Sequence, residues 1–76
     1  MLTLFHTEGC HLCEEAWALL ETAGLAARTR RCDILDDAAW LEAYRTRIPV
    51  LRDDTGRELG WPFDLADLRR FTAFSS

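Results

Sequence analysis

The alternation of hydrophobic and polar positions at the start of the chain predicts a strand that gives way to a helix. Leu2 to His6 alternate in this way and are rich in β-prone residue types, which is typical of a strand. From Leu12 onwards the apolar positions recur with a helical period. They share one helical face: Leu12, Ala16, Leu19, Leu20 and Ala23. Gly24 stands where a C-terminal glycine cap would end this helix.

The next segment predicts a second strand and a second helix. Residues 26–34 have strand character, but three arginines put charge on both faces: Arg28, Arg30 and Arg31. Charge on both faces suits the guarded edge of a sheet better than its centre. Asp36 or Asp37 can cap the helix that follows, because an apolar face comes directly after them: Trp40, Leu41 and Tyr44.

A hairpin and a third helix complete the chain. Residues 48–52 and 57–60 predict two antiparallel strands, because the sequence DDTG at residues 53–56 is typical of a tight turn. Residues 65–74 predict the last helix, with Asp64 as its N-cap and Asp67 in the position of a capping box. Two residues have the spacing of a hydrophobic staple around this helix start: Phe63 and Leu68.

The element order β-α-β-α-β-β-α determines the expected fold class. No repeat, linker or low-complexity segment interrupts it, so we expect a single α/β domain over residues 1–76. Long connections through helices require parallel neighbouring strands, whereas the short hairpin requires antiparallel ones. The economical packing is therefore a four-stranded mixed sheet with helices on both faces, over a single modest core.

Composition and charge exclude several classes of function. Of the 76 residues, 49% are hydrophobic, which is enough for a globular domain of this size. The net charge is −4 and no basic stripe runs along the chain, so nucleic acid is not an expected partner. We find no run of about 18 apolar residues and no basic and apolar start typical of an export signal. We therefore expect a monomer in the cytoplasm, without membrane contact.

Three cysteines are the main candidates for chemistry: Cys10, Cys13 and Cys32. Such a small, odd number does not suit the disulfide framework of a secreted domain. Cys10 stands at the mouth of the first helix, where unpaired backbone N–H groups and the helix dipole favour a thiolate. Cys13 lies within the first turn and can attack a mixed disulfide formed at Cys10. The two are therefore the expected catalytic residues, with Cys32 remaining a free thiol.

Two other interpretations of the pair remain open. A zinc site needs four ligands, so the pair would have to recruit two more from Cys32, His6 and His11, and no second pair with ligand spacing exists. The pair can also be two cysteines buried by chance, although their place at a strand-to-helix turn favours redox chemistry. We expect Cys32 to behave as a small buried residue, and we assign no role to His6.

Three motifs carry a family resemblance: CHLC after the first strand, RIPVL before the hairpin and GWPFDL before the last helix. With them the chain resembles the short bacterial glutaredoxin-like proteins of the thioredoxin-like fold over nearly its whole length. The resemblance implies a thiol-disulfide oxidoreductase whose substrates are protein or low-molecular-weight disulfides. It also implies a cis peptide bond between Ile48 and Pro49 next to the cysteine pair, with the backbone of Ile48 free to pair with an extended substrate.

The resemblance extends in part to the place where glutaredoxins hold glutathione. Gly60 and Asp64 match the spacing of the residues that grip its γ-glutamyl end, but Trp61 replaces a second glycine. Thr7 stands where the family usually has a basic residue, and Arg47 is the nearest basic side chain that can replace it. We therefore expect no bound cofactor, and as reductant either weakly bound glutathione or a thioredoxin-like protein system.

A thioredoxin-like fold also serves proteins that have no catalytic activity, because fold does not determine function. The alternative function is therefore a binding or adaptor module in which Cys10 and Cys13 have lost their chemistry. The third candidate function is that of a zinc-binding carrier.

Overall fold

The computed structural model describes residues 1–73. Within this part, four strands and three α-helices follow one another in the predicted order: β1 (Leu2–His6), α1 (His11–Thr22), β2 (Thr29–Asp33), α2 (Ala38–Tyr44), β3 (Val50–Arg52), β4 (Glu58–Gly60) and α3 (Leu65–Ala73). Two short 3-10 helices flank β2, at Ala26–Arg28 and Ile34–Asp36. No helix among these residues is both long enough and apolar enough to cross a membrane.

The four strands form one mixed sheet in the order β2-β1-β3-β4. β1 pairs in parallel with β2, as its connection through α1 requires, and antiparallel with β3. β3 and β4 form the predicted antiparallel hairpin. The arginine-rich strand β2 lies at the edge, so charge on both of its faces remains in contact with water.

The sheet separates two hydrophobic cores. The larger core packs α1 and α3 against one face: Leu2, Leu4, Ala16, Leu20, Leu25, Leu51, Phe63, Leu68 and Phe71. The smaller core packs α2 against the other face: Phe5, Ile34, Tyr44 and Val50. Successive strand residues point to opposite faces, which is why Leu4 and Phe5 belong to different cores. The α/β fold class, with a four-stranded mixed sheet and helices on both faces, is confirmed, whereas the single core is replaced by two.

The predicted helix ends are confirmed where the structure describes them. Gly24 adopts a φ of 75° just after α1, a conformation that glycine tolerates without steric cost. The Asp37 carboxylate accepts the N–H groups of Ala39 and Trp40 and so caps α2. The predicted last residue of α3, Phe74, lies outside the described residues.

Three predicted strands are shorter than the sequence indicated. The second one begins at Thr29 and not at residue 26, because Ala26–Arg28 form a 3-10 turn. The Thr29 hydroxyl donates to the Leu25 carbonyl at 2.8 Å, which fixes this turn against the end of α1. β3 begins at Val50 and not at residue 48, where the Ile48 N–H donates to the Tyr44 carbonyl. β4 begins at Glu58 and not at residue 57, since the buried Asp53 carboxylate accepts the backbone N–H of Thr55 and of Arg57.

Candidate active site

The Cys-x-x-Cys pair begins α1. Cys10 is the N-cap residue, and its Sγ accepts the backbone N–H of Cys13 at 3.2 Å. Gly9, with a φ of 77°, makes the tight turn in which the Cys10 N–H donates to the Thr7 carbonyl. Cys10 and Cys13 form a disulfide, with their Cα atoms 5.2 Å apart, and Cys32 is a free thiol. The predicted pairing of the cysteines is confirmed.

The two cysteines have different surroundings. Cys10 is partly exposed, and the N–H of Cys13 together with the positive end of the α1 dipole favours negative charge on its sulfur. Cys13 lies inside the first helical turn and is only 4% exposed. A substrate therefore has direct access to Cys10, whereas Cys13 is within reach of Cys10 and is sheltered from solvent. This arrangement fits a thioredoxin-like redox module.

The other predicted site residues lie at the same end of the sheet. β1 ends at His6, and the cysteine turn follows it directly. β3 is antiparallel to β1, and its first residue, Val50, is the register partner of Phe5. Pro49 immediately precedes Val50 and therefore lies at the end of the sheet where β1 leads into the cysteine turn. Gly60, the last residue of β4, is in turn the register partner of Val50. The cysteine turn, Pro49 and Gly60 thus leave the sheet at one end.

The segment around Pro49 is tied to its neighbours through the backbone. The Ile48–Pro49 peptide bond is cis, as is Trp61–Pro62. The Ile48 N–H donates to the Tyr44 carbonyl at 3.1 Å, and the Pro49 carbonyl accepts the Trp61 N–H at 3.1 Å. The N–H of Ile48 is therefore not free as the sequence suggested, and any pairing of this residue with a substrate falls to its carbonyl.

Gly60, Trp61 and Asp64, which have the spacing of a glutathione site, differ from one another in their surroundings. Gly60 is exposed, with no atom within 4 Å of the position that a Cβ would occupy. The Trp61 ring packs edge-on against Phe63, with centroids 5.1 Å apart, and lines a groove along the middle of α1. Asp64 acts as the predicted N-cap of α3: its carboxylate accepts the Asp67 N–H at 2.8 Å, and the Asp67 carboxylate accepts the Asp64 N–H at 3.1 Å.

Arg47 belongs to a polar cluster between α2 and the hairpin. Its guanidinium donates to Glu58 at 3.0 Å and lies over the Tyr44 ring, while the Tyr44 hydroxyl donates to the other Glu58 oxygen at 2.5 Å. The hydrogen bond from Tyr44, followed by that from Arg47, holds the pKa of the Glu58 carboxyl below its ordinary value despite its partial burial. Burial first, and then the bond to Glu58, raises the pKa of Tyr44. The Arg47 guanidinium is thus already paired within the protein, with the Glu58 carboxylate.

A basic residue that the sequence analysis did not assign to the site lies beside the cysteines. Arg31, His6, Thr7 and Glu14 line both a small cavity at the cysteine pair and a larger cleft of about 740 Å³. The Arg31 guanidinium lies 4.4 Å from the centroid of the Trp17 ring. The charge pattern of this strand alone predicts Arg31 as a solvated edge residue. Its parallel register with Leu4, which faces α1, is the signal that could have placed it on the cysteine side.

Potential metal ligands are scattered over the described chain. Among residues 1–73, no three His, Cys, Asp or Glu side chains lie close enough together to hold a metal ion. Cys32, in the middle of the chain, is the register partner of Phe5 and packs against the smaller core. It is half-buried there, so the expected burial of this thiol holds only in part.

Comparisons with known proteins agree with this geometry. The model of the Glutaredoxin-like domain (DUF836) matches residues 1–72. The X-ray structure of the structural genomics target protein XcR50 from X. campestris is 45% identical, with a TM-score of 0.89 and 100% of both chains covered. The solution structure of XcR50 is also 45% identical, with a TM-score of 0.87, and 99% of this chain and 95% of that chain are covered. No curated protein matches. The family model spans almost the whole sequence, and the chain therefore belongs to the glutaredoxin-like (DUF836) family.

Proposed function

We propose that the protein is a thiol-disulfide oxidoreductase that exchanges disulfides through Cys10 and Cys13. The observation that carries the proposal is the difference between the two sulfur atoms: the Cys10 Sγ is partly exposed and accepts an N–H at the helix start, whereas Cys13 is buried. A thiolate stabilised at Cys10 attacks a substrate disulfide and forms a mixed disulfide with one half of it, while the substrate S–S bond breaks and the other half leaves as a thiolate. Cys13 then attacks Cys10 and releases that half.

The substrates of this reaction are protein or low-molecular-weight disulfides, which reach Cys10 from the exposed side of the turn. An extended substrate lies alongside Pro49 at the end of the sheet, and one of its backbone N–H groups donates to the Ile48 carbonyl. We place the protein in the cytoplasm as a monomer, where a reducing thiol pool returns the Cys10–Cys13 disulfide to the dithiol.

Glutathione is the proposed reductant, without being a bound cofactor. Its γ-glutamyl end would lie at Gly60, Trp61 and Asp64, where the open surface at Gly60 and the N-terminus of α3 support an approaching carboxylate. Thr7 provides no charge for its other carboxylate, and Arg47 can contribute only by sharing its ion pair with Glu58. We therefore propose that glutathione binds weakly.

Single cysteine substitutions test the proposed roles. We expect Cys10→Ser to slow disulfide exchange at least about tenfold, because the remaining thiol is buried, whereas Cys13→Ser accumulates a mixed disulfide at Cys10. Mass spectrometry of the non-reduced protein after reaction with a small disulfide measures both effects. Cys32→Ser is the matched control, and we expect it to keep exchange without trapping.

Each alternative outcome has a defined meaning. Equal trapping by the Cys10→Ser and Cys13→Ser variants would show that the two residues do not have distinct roles. If the reduced wild-type protein formed no mixed disulfide and no Cys10–Cys13 disulfide, catalysis would be ruled out and a binding or adaptor module would explain the fold. Stoichiometric zinc uptake by that inactive dithiol would support the carrier.

A further inference from the structure

A small polar cavity adjoins the buried cysteine. It has a volume of about 40 Å³, and its polar wall consists of His6, Thr7, Cys10, Cys13, Glu14 and Arg31. We call it the thiol cavity. A water molecule needs about 10–15 Å³ of such space and two to four polar partners, so the thiol cavity has the size and the chemistry for one. Four of its residues also line the larger cleft.

Cys13 has to lose a proton in a place that disfavours its charged form. Its side chain is 4% exposed, and burial in low dielectric raises the pKa of a thiol. Its own backbone N–H points to the Cys10 Sγ, so that interaction favours negative charge at Cys10. The resolving step therefore requires a proton acceptor near Cys13, and the wall of the thiol cavity supplies the candidates.

Only one of these candidates is matched to the task. A guanidinium such as that of Arg31 stays protonated, and the hydroxyl of Thr7 is not a base at neutral pH. A carboxylate such as that of Glu14 is ordinarily about four pH units weaker as a base than a thiolate. The ordinary pKa of an imidazole lies much closer to that of a thiol and to neutral pH. Proton transfer is most efficient between groups whose pKa values are matched in this way. His6, half-buried at the end of β1, is that imidazole.

We propose that His6 accepts the Cys13 proton across the thiol cavity during resolution, an inference that rests on the proposed function. The Cys13 S–H bond breaks, the proton passes to the imidazole, and the Cys13 sulfur attacks the Cys10 sulfur. The bond between Cys10 and the substrate sulfur then breaks, and the substrate leaves as a thiolate with the electron pair. Cys10 and Cys13 together are oxidised by two electrons, and the substrate is reduced. In the reverse reaction, His6 returns the proton to Cys13.

Charged groups from β2, α1 and the cysteine turn lie around His6. From β2, Asp33 is its register partner and Arg31 lines the same cavity. Glu14 on α1 and Glu8 in the cysteine turn line the adjoining cleft. The contact of Arg31 with the Trp17 ring keeps its charge at the cavity wall.

Stopped-flow kinetics separates the two chemical steps. Reduced full-length protein, with Cys32→Ala to remove the third thiol, is mixed with excess 4,4′-dithiodipyridine. Attack by Cys10 releases one coloured thiol in a second-order phase, and resolution by Cys13 releases another in a first-order phase. Both phases are followed from about pH 5 to pH 9, the range that includes the titration of imidazoles and of most thiols.

We expect His6→Gln to slow the second phase at pH 7 by at least about tenfold and to leave the first phase within about twofold. The deficit should shrink at the highest pH, where hydroxide removes the Cys13 proton directly. A purely structural role of His6 would slow the reaction equally at every pH. His11→Gln replaces the other histidine, whose exposed side chain does not line the thiol cavity, and should keep the wild-type pH profile of the second phase.

A measurement on the unsubstituted protein covers the case in which His6→Gln does not fold. Nuclear magnetic resonance titration of the His6 ring in the dithiol and disulfide forms should give different curves, because only the dithiol shares a proton with it. Identical curves, or a second phase unchanged by His6→Gln at pH 7, would overturn the role of His6. Failure of the proposed function is distinguishable, because the second coloured thiol would then not appear in any variant.

Discussion

Glu58 connects the hairpin to the last residue of α2 and to the loop that follows it through two charge-assisted hydrogen bonds. One comes from Tyr44 at 2.5 Å and the other from Arg47 at 3.0 Å, while 28% of the Glu58 side chain remains exposed. We expect Glu58→Gln to lower the free energy of unfolding at pH 7 by about 1 kcal/mol, since partial exposure reduces the usual value of such bonds. Urea denaturation measures the change.

The pH dependence of this effect follows from the lowered pKa of Glu58. A carboxyl group whose pKa is lower in the folded state stabilises above its unfolded value, here ordinarily 4.5, and loses that contribution as the pH falls through the folded value. The wild-type advantage over Glu58→Gln should therefore fade below about pH 4.5. Glu42→Gln, at an exposed position of α2, is the control and should change little at any pH. A constant difference from pH 7 to pH 3 would show that packing, not charge, distinguishes the variants.

Individual residues were predictable where local sequence determines their role. Cys10 as the helix cap, Asp64 in a capping box and Gly24 at a helix end depend on neighbours within a few positions. Arg47 and Arg31 have roles that depend on residues far away in the sequence, at Glu58 and Trp17. Hydrophobic periodicity indicates which face of a helix or strand a side chain occupies, but not which residue of another element it contacts. Neither contact could therefore be inferred from the sequence.

The start of α3 has two proposed roles that one substitution can separate. Asp64 caps the helix through its carboxylate, and it is also the proposed contact of the glutathione γ-glutamyl group. Asn caps helices about as well as Asp, so Asp64→Asn should change the free energy of unfolding by less than about 1 kcal/mol. If the charge binds the ligand, the same variant should raise the KM for glutathione several-fold in a coupled assay.

Asp64→Ala provides the comparison for this helix. It removes the cap as well as the charge, so we expect it to destabilise the protein by about 0.5–2 kcal/mol in addition to raising KM. A KM for glutathione that is the same in wild type and Asp64→Asn, together with unchanged stability, would assign Asp64 to the helix cap alone.

Element order was predictable because each helix and each turn carries its own signal, whereas some boundaries were not. The 3-10 turn at Ala26–Arg28 is fixed by Thr29 bonding to Leu25, a contact that strand-like composition hides. β3 begins two residues later than predicted, because the Ile48 N–H bonds to the Tyr44 carbonyl. β4 begins one residue later, because the Asp53 carboxylate binds the backbone inside the turn. Burial opposes ionisation of this carboxyl, but the hydrogen bonds from Thr55 and Arg57 outweigh it and lower the pKa of Asp53.

The charge of the whole molecule affects which disulfides reach the cysteine pair. The net charge of the chain is −4, and three exposed carboxylates flank Cys10 in sequence: Glu8, Glu14 and Glu15. Arg31 opposes them in the cleft next to Cys10. Such fields act over about 10 Å at moderate ionic strength and are screened by added salt. The salt dependence of the reaction rate therefore reports whether negative or positive charge dominates at Cys10.

We expect the carboxylates to dominate, because they outnumber the guanidinium and agree in sign with the net charge. The bimolecular reaction of the dithiol with glutathione disulfide, an anion, should accelerate about two- to fivefold between low and physiological salt. The same reaction should slow with cystamine, a cation, and stay constant with the neutral bis(2-hydroxyethyl) disulfide. Stopped-flow rates at constant pH measure all three, and Glu8→Gln should flatten the first two salt profiles. A rate with glutathione disulfide that falls as salt is added would mean that Arg31, despite the net charge of the chain, sets the field at Cys10.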